Sequence, residues 1–179
     1  MKMRKRLLSF IVGRPGLLRN CVMCLMCLLR RKWLPSQLQP DYRFVRTLQS
    51  PHHLVFHERS GRYEISSQAF GPSSSDETLS GDLEEVLLSD GLKATAMYPA
   101  VRDAVGAASV TVRQILDTKA TVEHDPVIVN WYHGAVRGTK SKSVKRRLSQ
   151  AAQEIIPIDQ QKAAELEKAW QETRKASSS

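Results

Sequence analysis

Acidic residues are absent from the first forty positions of this 179-residue sequence, although the whole chain contains 18 aspartates and glutamates. Nine of the 27 lysines and arginines lie before Asp41, so that residues 41–179 carry 18 basic and 18 acidic side chains. The formal net charge of +9 therefore resides in the first forty residues. This partition argues against a nucleic-acid-binding domain whose basic face is spread over the whole body.

Cysteine is scarce and clustered, because all three cysteines (Cys21, Cys24 and Cys27) lie within seven residues. An odd number of cysteines at this spacing does not form the disulfide framework of a secreted domain, and it indicates a reducing compartment. The spacing matches the beginning of a bacterial iron–sulfur motif, but that motif requires a fourth cysteine. We therefore expect neither a disulfide nor an iron–sulfur cluster.

Long hydrophobic runs are also missing. The uninterrupted apolar run Cys21–Leu29 has nine residues, whereas a transmembrane helix needs roughly 20. A secretory signal peptide is not indicated either, because the apolar stretch Leu7–Gly13 is short and Arg14-Pro15 follows it. Neither a spanning helix nor a secretory signal is expected.

The amino-terminal segment instead has the composition of a membrane anchor. Cysteines beside apolar residues and basic clusters are the usual setting for palmitoylation, so Cys21, Cys24 and Cys27 are candidate lipidation sites. One acyl chain binds a membrane only marginally, and each Lys or Arg near an anionic leaflet adds about 1 kcal/mol. We predict a basic amphipathic helix in this segment and attachment to the cytosolic face of an anionic membrane. The predicted contacts are Lys2, Arg4, Lys5, Arg6, Arg14, Arg19, Arg30, Arg31 and Lys32.

A mitochondrial presequence is an alternative for the same residues, since presequences are also rich in arginine and free of acids. Presequences are rich in serine as well, and Ser9 is the only serine before Ser36. Under this alternative the segment would be cleaved and the protein would reside in the mitochondrion.

The rest of the chain is predicted to be one small α+β domain, with an antiparallel sheet and two or more packed helices. Residues 1–40 form the anchor or targeting segment, residues 41–175 the domain, and residues 176–179 a disordered tail. Strands are expected at Asp41–Gln49, at Thr121–His124 and at Val127–His133. A hairpin is expected from His53–His57 and Arg62–Phe70, because Gly61 lies in their short connection.

Four helices are predicted in this domain. The first begins with the D-x-x-E pattern of Asp82 and ends before Gly91. The second follows Pro99 and extends to about residue 108, and the alternating residues Ser109–Arg113 leave its end open. The last two are Ser143–Ile155 and Asp159–Lys175, with Asp159 as the N-cap, and Gly134–Gly138 is interpreted as a break.

No catalytic or metal-binding pattern is apparent. The sequence contains no G-x-S-x-G, no P-loop and no G-x-G-x-x-G. Glu84 and Glu85 are adjacent on a predicted helix and point in different directions, so they are not expected to form an acid–base pair. His53 and His57 would lie about 13 Å apart on one face of a strand, which is too far for one ion, and are interpreted as surface or cross-strand residues. We expect no enzyme, no catalytic residue, no metal and no cofactor.

A second basic cluster lies near residue 140. It could contact phosphates, anionic lipid headgroups or an import receptor, or it could be a solvated helix start. Cations at a helix N-terminus oppose the helix dipole, which favours a binding role. Arg146-Arg147-Leu148-Ser149 matches the pattern of basophilic kinases, and phosphorylation of Ser149 would lower the local charge by about 1.5 to 2 units. The cluster comprises Arg137, Lys140, Lys142, Lys145, Arg146 and Arg147.

These patterns predict a peripheral membrane-associated accessory or adaptor protein. It would bind an anionic membrane surface and an unidentified protein partner, and its plan is matrix-like by analogy only. Besides the mitochondrial alternative, a nucleic-acid-binding protein that uses both basic clusters is a further, less favoured possibility.

Overall fold

A computed structural model describes residues 38–72, 77–127 and 130–177 of the chain, and this part has an α+β fold. The predicted amino-terminal amphipathic helix lies outside the described residues. The strands are β1 (Arg43–Gln49), β2 (Leu54–His57), β3 (Arg62–Ile65), β4 (Thr78–Leu83), β5 (Ala104–Thr111), β6 (Thr121–His124), β7 (His133–Arg137) and β8 (Gln153–Ile156). The helices are α1 (Glu84–Ser89), α2 (Val112–Leu116), α3 (Lys142–Ala151) and α4 (Gln160–Ala176), with short 3₁₀ turns at Ser67–Phe70 and Tyr98–Ala100.

Six strands form one antiparallel sheet in the order β6-β7-β4-β1-β5-β8, and β2 and β3 form a separate hairpin. The first strand, β1, therefore lies near the centre. It pairs along its whole length with β5, from Arg43 opposite Thr111 to Gln49 opposite Ala104. Its pairing with β4 covers only Phe44–Leu83 and Val45–Asp82. Beyond these two pairs, side chains must replace the missing backbone hydrogen bonds between β1 and β4.

The hydrophobic core lies on one face of the sheet. Alternate residues of a strand point to the same face, and Phe44 and Leu48 share theirs with Leu83 and Val110 through the strand register. All four helices of the described residues contribute to the same buried cluster. Their members are Val86 and Leu87 from α1, Ile115 from α2, Leu148 from α3 and Ala163 from α4.

The hairpin and the last helix are confirmed. Strands β2 and β3 pair antiparallel from Leu54 opposite Ile65 to His57 opposite Arg62. Helix α4 begins directly after Asp159, whose Oδ1 accepts a hydrogen bond from the Lys162 N–H at 3.0 Å. Ala176, predicted to begin a disordered tail, is the last helical residue.

Three other element predictions are wrong. The predicted helix after Pro99 is a 3₁₀ turn followed by β5, because the small residues of Ala104–Val110 are buried in the sheet centre. The predicted strand Val127–His133 is not one strand in its described part, because Val127 and Asn130 form an isolated antiparallel bridge and His133 already begins β7. Residues 128 and 129 lie outside the described residues. The predicted break at Gly134–Gly138 is mostly strand β7.

The boundaries of two predicted helices are also wrong. Asp82 does not cap a helix but is paired within β4, and Leu83 is the residue before α1. Helix α3 ends at Ala151 rather than Ile155, and residues 153–156 form the edge strand β8. Ile155 fits the apolar spacing of the longer predicted helix, but it packs as part of strand β8.

Helix α4 is held to the domain by polar contacts as well as by its narrow apolar stripe. Its one fully buried side chain among the described residues is Ala163, whose carbonyl accepts a hydrogen bond from Ser50 Oγ at 3.0 Å. Lys162 Nζ donates to the Ala104 carbonyl at 2.8 Å. The Gln160 side-chain amide accepts from the Tyr63 N–H at 2.6 Å and donates to the Tyr63 carbonyl at 3.1 Å. The amide thus occupies the edge of β3 as a neighbouring strand would.

Two glycines face each other across β4 and β7 because bulky side chains fill the space above them. Gly81 pairs with Gly134, and a Cβ on Gly81 would lie 2.5 Å from Phe44 Cζ and 2.6 Å from the Val45 carbonyl oxygen. We expect Gly81→Ala to lower the free energy of unfolding by about 1–3 kcal/mol, as overpacking does. Denaturant unfolding should show no comparable loss for Ser80→Ala on the same strand. Equal stability of the two variants would contradict this packing.

Candidate functional site

Cys21, Cys24, Cys27 and the nine basic residues predicted to contact a membrane all lie outside the described residues. The second basic cluster, in contrast, is fully described, and its six members divide into paired and unpaired cations.

Half of the second basic cluster is engaged by other side chains. Arg137 Nη2 lies 2.8 Å from Glu123 Oε1, and Lys140 Nζ lies 2.5 Å from Glu77 Oε1. Lys145 Nζ donates a hydrogen bond to the side-chain oxygen of Gln68 at 3.4 Å. These three cations therefore contribute less to any external contact than the sequence alone indicated.

The other half forms an exposed, unpaired basic surface, which we call the α3 surface and which consists of Lys142, Arg146 and Arg147. All three are exposed, and none makes an ion pair within residues 38–72, 77–127 or 130–177. Lys142 and Arg146 are four residues apart and lie on one side of the helix. Leu148 is completely buried and fixes the helix against the core, so the cations point outward.

Ser149 lies on the same helix but is not presented as an extended segment. Its Oγ donates a hydrogen bond to the Arg146 carbonyl at 3.0 Å, and the preceding Leu148 is completely buried. Phosphorylation of Ser149 stays a prediction, and this geometry requires local opening of the end of α3 before modification.

No sequence pattern indicated the partly buried polar network around Arg46 of β1. Its Nε donates to the Ala69 carbonyl at 3.3 Å, Nη1 donates to the Ser80 carbonyl, and Nη2 lies 3.2 Å from His53 Nε2. Burial lowers the pKa of Arg46 to about 10, and attraction to Asp82 partly offsets this. Because the bond to Ser80 lies just beyond the two β1–β4 register pairs, the guanidinium closes the gap between these strands.

His53 is buried in this network, so its interpretation as a surface or cross-strand residue is wrong. The Gln49 N lies 3.1 Å from its Nδ1 and the Arg46 guanidinium lies at its Nε2, and a neutral imidazole accepts a hydrogen bond at only one of these two nitrogens. Burial, followed by repulsion from Arg46 and His52, lowers the pKa of His53 to about 4. The imidazole is therefore neutral near pH 7 and serves as a structural acceptor.

Asp82 of β4 is a second buried polar residue, and it connects the sheet to the loop before β7. Its Oδ1 accepts a hydrogen bond from Asn130 Nδ2 at 2.6 Å, and it lies opposite His133 in the strand register. Burial raises the pKa of the Asp82 carboxyl, and the Asn130 hydrogen bond and the charges of His133 and Arg46 act in the opposite direction. We interpret this network as structural because Asn130 already occupies the carboxylate.

A cavity of about 370 Å³ lies beside α1. Glu85 is its charged member. Burial raises the pKa of the Glu85 carboxyl, whereas a hydrogen bond from the Gln39 N–H lowers it. Glu85 Oε2 is shielded from solvent and has no hydrogen-bond partner among the described residues. The lining consists of Leu38, Tyr42, Glu85, Val86, Leu88, Ser89 and His124.

Glu84 and Glu85, which are adjacent on α1, have different surroundings. Glu84 Oε2 lies 3.8 Å from Arg43 Nε, while Glu85 faces the cavity. No group of three or more His, Cys, Asp or Glu side chains within the described ranges is placed to hold a metal ion. In the same part of the chain, no helix has the length and apolar character needed to cross a bilayer.

The chain matches no protein-family model, no curated protein and no solved structure.

Proposed function

We propose that this chain is a non-enzymatic, peripheral membrane-associated accessory or adaptor protein. Residues 1–33 attach it to an anionic membrane on the cytosolic face, with Cys21, Cys24 and Cys27 S-acylated, and the folded domain binds a protein partner. The observation that carries this proposal is the partition of charge. The entire formal charge of +9 precedes Asp41, and the body that follows is balanced.

The α3 surface supports the proposal by adding a second anionic contact on the folded domain. Its three cations are exposed and are not neutralised by acids of the described part, so they remain available to phosphate groups. Attraction to lipid headgroups falls off within about 8 Å at physiological ionic strength. The α3 surface therefore contributes only when the domain lies directly against the membrane.

Removing the charges of the α3 surface should weaken binding to anionic vesicles. We expect the triple variant Lys142→Gln, Arg146→Gln, Arg147→Gln to bind phosphatidylserine-containing vesicles roughly 150-fold more weakly, since each cation contributes about 1 kcal/mol. Co-sedimentation of the full chain measures this. A matched control removes the exposed Arg59, Lys93 and Arg102. Equal losses in both variants would show that net charge alone, and not the α3 surface, determines binding.

Loss of the cysteines should release the protein from membranes in cells. We expect Cys21→Ser, Cys24→Ser, Cys27→Ser to become soluble, because a polybasic segment without acyl chains binds reversibly. Neutralising Lys2, Arg4, Lys5 and Arg6 is the second arm, and residues 41–179 alone are the comparison. The anchor is refuted when both variants remain where the parent resides. Sequencing of the mature amino terminus separates it from a cleaved presequence.

Nucleic-acid binding is a second candidate that the α3 surface favours, because lysine and arginine also neutralise backbone phosphates. Three phosphate contacts would give a slope of about −2.7 in a plot of log affinity against log salt concentration on duplex DNA. A salt-independent affinity would eliminate this candidate. Tighter binding to vesicles than to DNA at equal ionic strength would favour membrane association.

A further inference from the structure

We propose that the cavity beside α1 binds a small organic ammonium ligand, with its apolar part against Leu38, Val86 and Leu88 and its ammonium group at Glu85. This is a binding activity beyond membrane attachment, and it uses none of the basic residues assigned to that role.

The cavity has the size and lining of a small-molecule site. Its volume of about 370 Å³ falls within the roughly 300–1,000 Å³ of ligand pockets, which are mainly apolar with few polar groups. Leu88 is 50% exposed and lines the opening, so a ligand can enter without unfolding the domain. Filling the cavity would cover this side chain, which otherwise presents apolar surface to water.

Glu85 gives the cavity its preference for a cation. A buried acceptor without a hydrogen bond is costly, and Glu85 Oε2 is such an acceptor. An ammonium group supplies charge-assisted hydrogen bonds, which are about twice as strong as neutral ones. Rotation about the terminal torsion of glutamate is soft, so either carboxylate oxygen can turn toward the ligand.

The ring residues of the lining are compatible with a positive charge. Tyr42 and His124 both contribute to the walls, and aromatic faces attract ammonium groups. Burial lowers the pKa of His124, and its Nε2 donates a hydrogen bond to the Trp131 carbonyl at 2.7 Å. The imidazole is therefore neutral at pH 7 and does not repel the ligand.

A carboxylate ligand does not fit the same cavity. It would be repelled by the carboxylate of Glu85. Glu84 supplies no compensating positive charge, and its own partner Arg43 lies 3.8 Å away. Within the part of the chain that the structure describes, no lysine or arginine lines the cavity. A fatty acid of the same length should consequently bind more weakly than an amine.

Three six-carbon probes test the proposal on the full chain at pH 7: hexylamine, 1-hexanol and hexanoate. We expect calorimetric titration to show saturable binding of hexylamine, about tenfold tighter than that of hexanol, because the charge-assisted bond is made only by the amine. Hexanoate should bind most weakly. Absence of hexylamine binding, or equal binding of all three probes, would overturn the proposal.

Two matched pairs of variants locate the binding. Glu85→Gln should reduce hexylamine binding to the level of hexanol, and Glu84→Gln should leave it unchanged. Leu88→Gln should weaken both hexylamine and hexanol, whereas Leu116→Gln, at an equally exposed leucine (48%) on α2, should weaken neither. Parental hexylamine binding by Glu85→Gln or by Leu88→Gln would place the ligand elsewhere and refute the assignment.

Discussion

Replacing Arg46 with methionine is expected to lower the free energy of unfolding by about 3–5 kcal/mol, the cost of breaking a buried charged contact. Methionine approximates the length of the side chain but supplies no donor. The carbonyls of Ala69 and Ser80 would lose the hydrogen bonds that they now accept from the guanidinium. Each buried acceptor left without a partner costs about 1–3 kcal/mol. The loss is large because one side chain holds β1, β4 and the 3₁₀ turn together.

Arg43→Met is the matched control for this experiment, since Arg43 lies on the same strand but is partly exposed and contacts Glu84 at 3.8 Å. A surface ion pair of this kind contributes less than about 1 kcal/mol. Urea unfolding of both variants, compared at constant slope, measures the difference. Arg46→Lys should recover only part of the stability, because an ammonium group lacks the planar fork that reaches three acceptors. Equal unfolding midpoints for Arg43→Met and Arg46→Met would contradict the role of Arg46 in holding β1, β4 and the 3₁₀ turn together.

Acidification should destabilise the domain as His53 becomes protonated. The pKa of His53 is lowered in the fold to about 4, from about 6.5, so the unfolded chain takes up the proton first. The contribution of neutral His53 to the free energy of unfolding is complete above pH 6.5. It is lost progressively between pH 6.5 and pH 4, to a total of about 3 kcal/mol. The pKa of His124 is also lowered and acts in the same direction, whereas the raised pKa of Asp82 acts oppositely.

Comparison of variants isolates the contribution of His53 to this pH dependence. In His53→Gln the decrease in unfolding free energy between pH 6.5 and pH 4 should be smaller, because glutamine can accept from Arg46 but does not titrate. His57→Gln, at an exposed position of β2, should retain the parental slope. Unfolding midpoints measured in urea at half-unit steps of pH provide the curves. Parallel curves for His53→Gln and the parent would disprove this account.

The elements that could be predicted from the sequence are those fixed by local chemistry. The hairpin follows from two β-rich runs joined through Gly61, which has φ +64°. The last helix follows from Asp159, whose side chain caps it. The α+β class and the strands at Arg43–Gln49 and Thr121–His124 follow from alternating apolar residues. In each case the residues that signal the element also stabilise it.

The missed strands depend on contacts that are distant in sequence. Residues 104–111 contain alanine, glycine and serine, which favour no strand, and they become one because β1 and β8 flank them. Gly134 resembles a residue that interrupts a strand. It nevertheless lies within β7, because Leu83 packs in the space that a side chain at position 134 would occupy. Small residues here reflect crowding by neighbours, which a local pattern does not reveal.

The candidate sites also combine features that local sequence indicates with features that depend on contacts distant in sequence. The six cations near residue 140 were apparent as a run of charge, but which of them remain unpaired depends on Glu77 and Glu123, far away in the chain. The cavity was not foreseeable, because Leu38, Glu85 and His124 come from three parts of the chain that are distant in sequence. A carboxylate next to Val86 and Leu88 on an amphipathic helix was the only available signal, and it equally fits a solvated helix start.

The central position of β1 has a consequence for the order of events during synthesis. Both of its neighbours are encoded later, so β1 has no backbone partner until residue 83 has left the ribosome and no complete ladder until residue 111 has. At roughly 5–20 residues per second, the amino-terminal forty residues precede that point by several seconds. Under the proposed membrane attachment, residues 1–33 would reach the bilayer before the sheet is complete, and the domain would then assemble at the membrane surface.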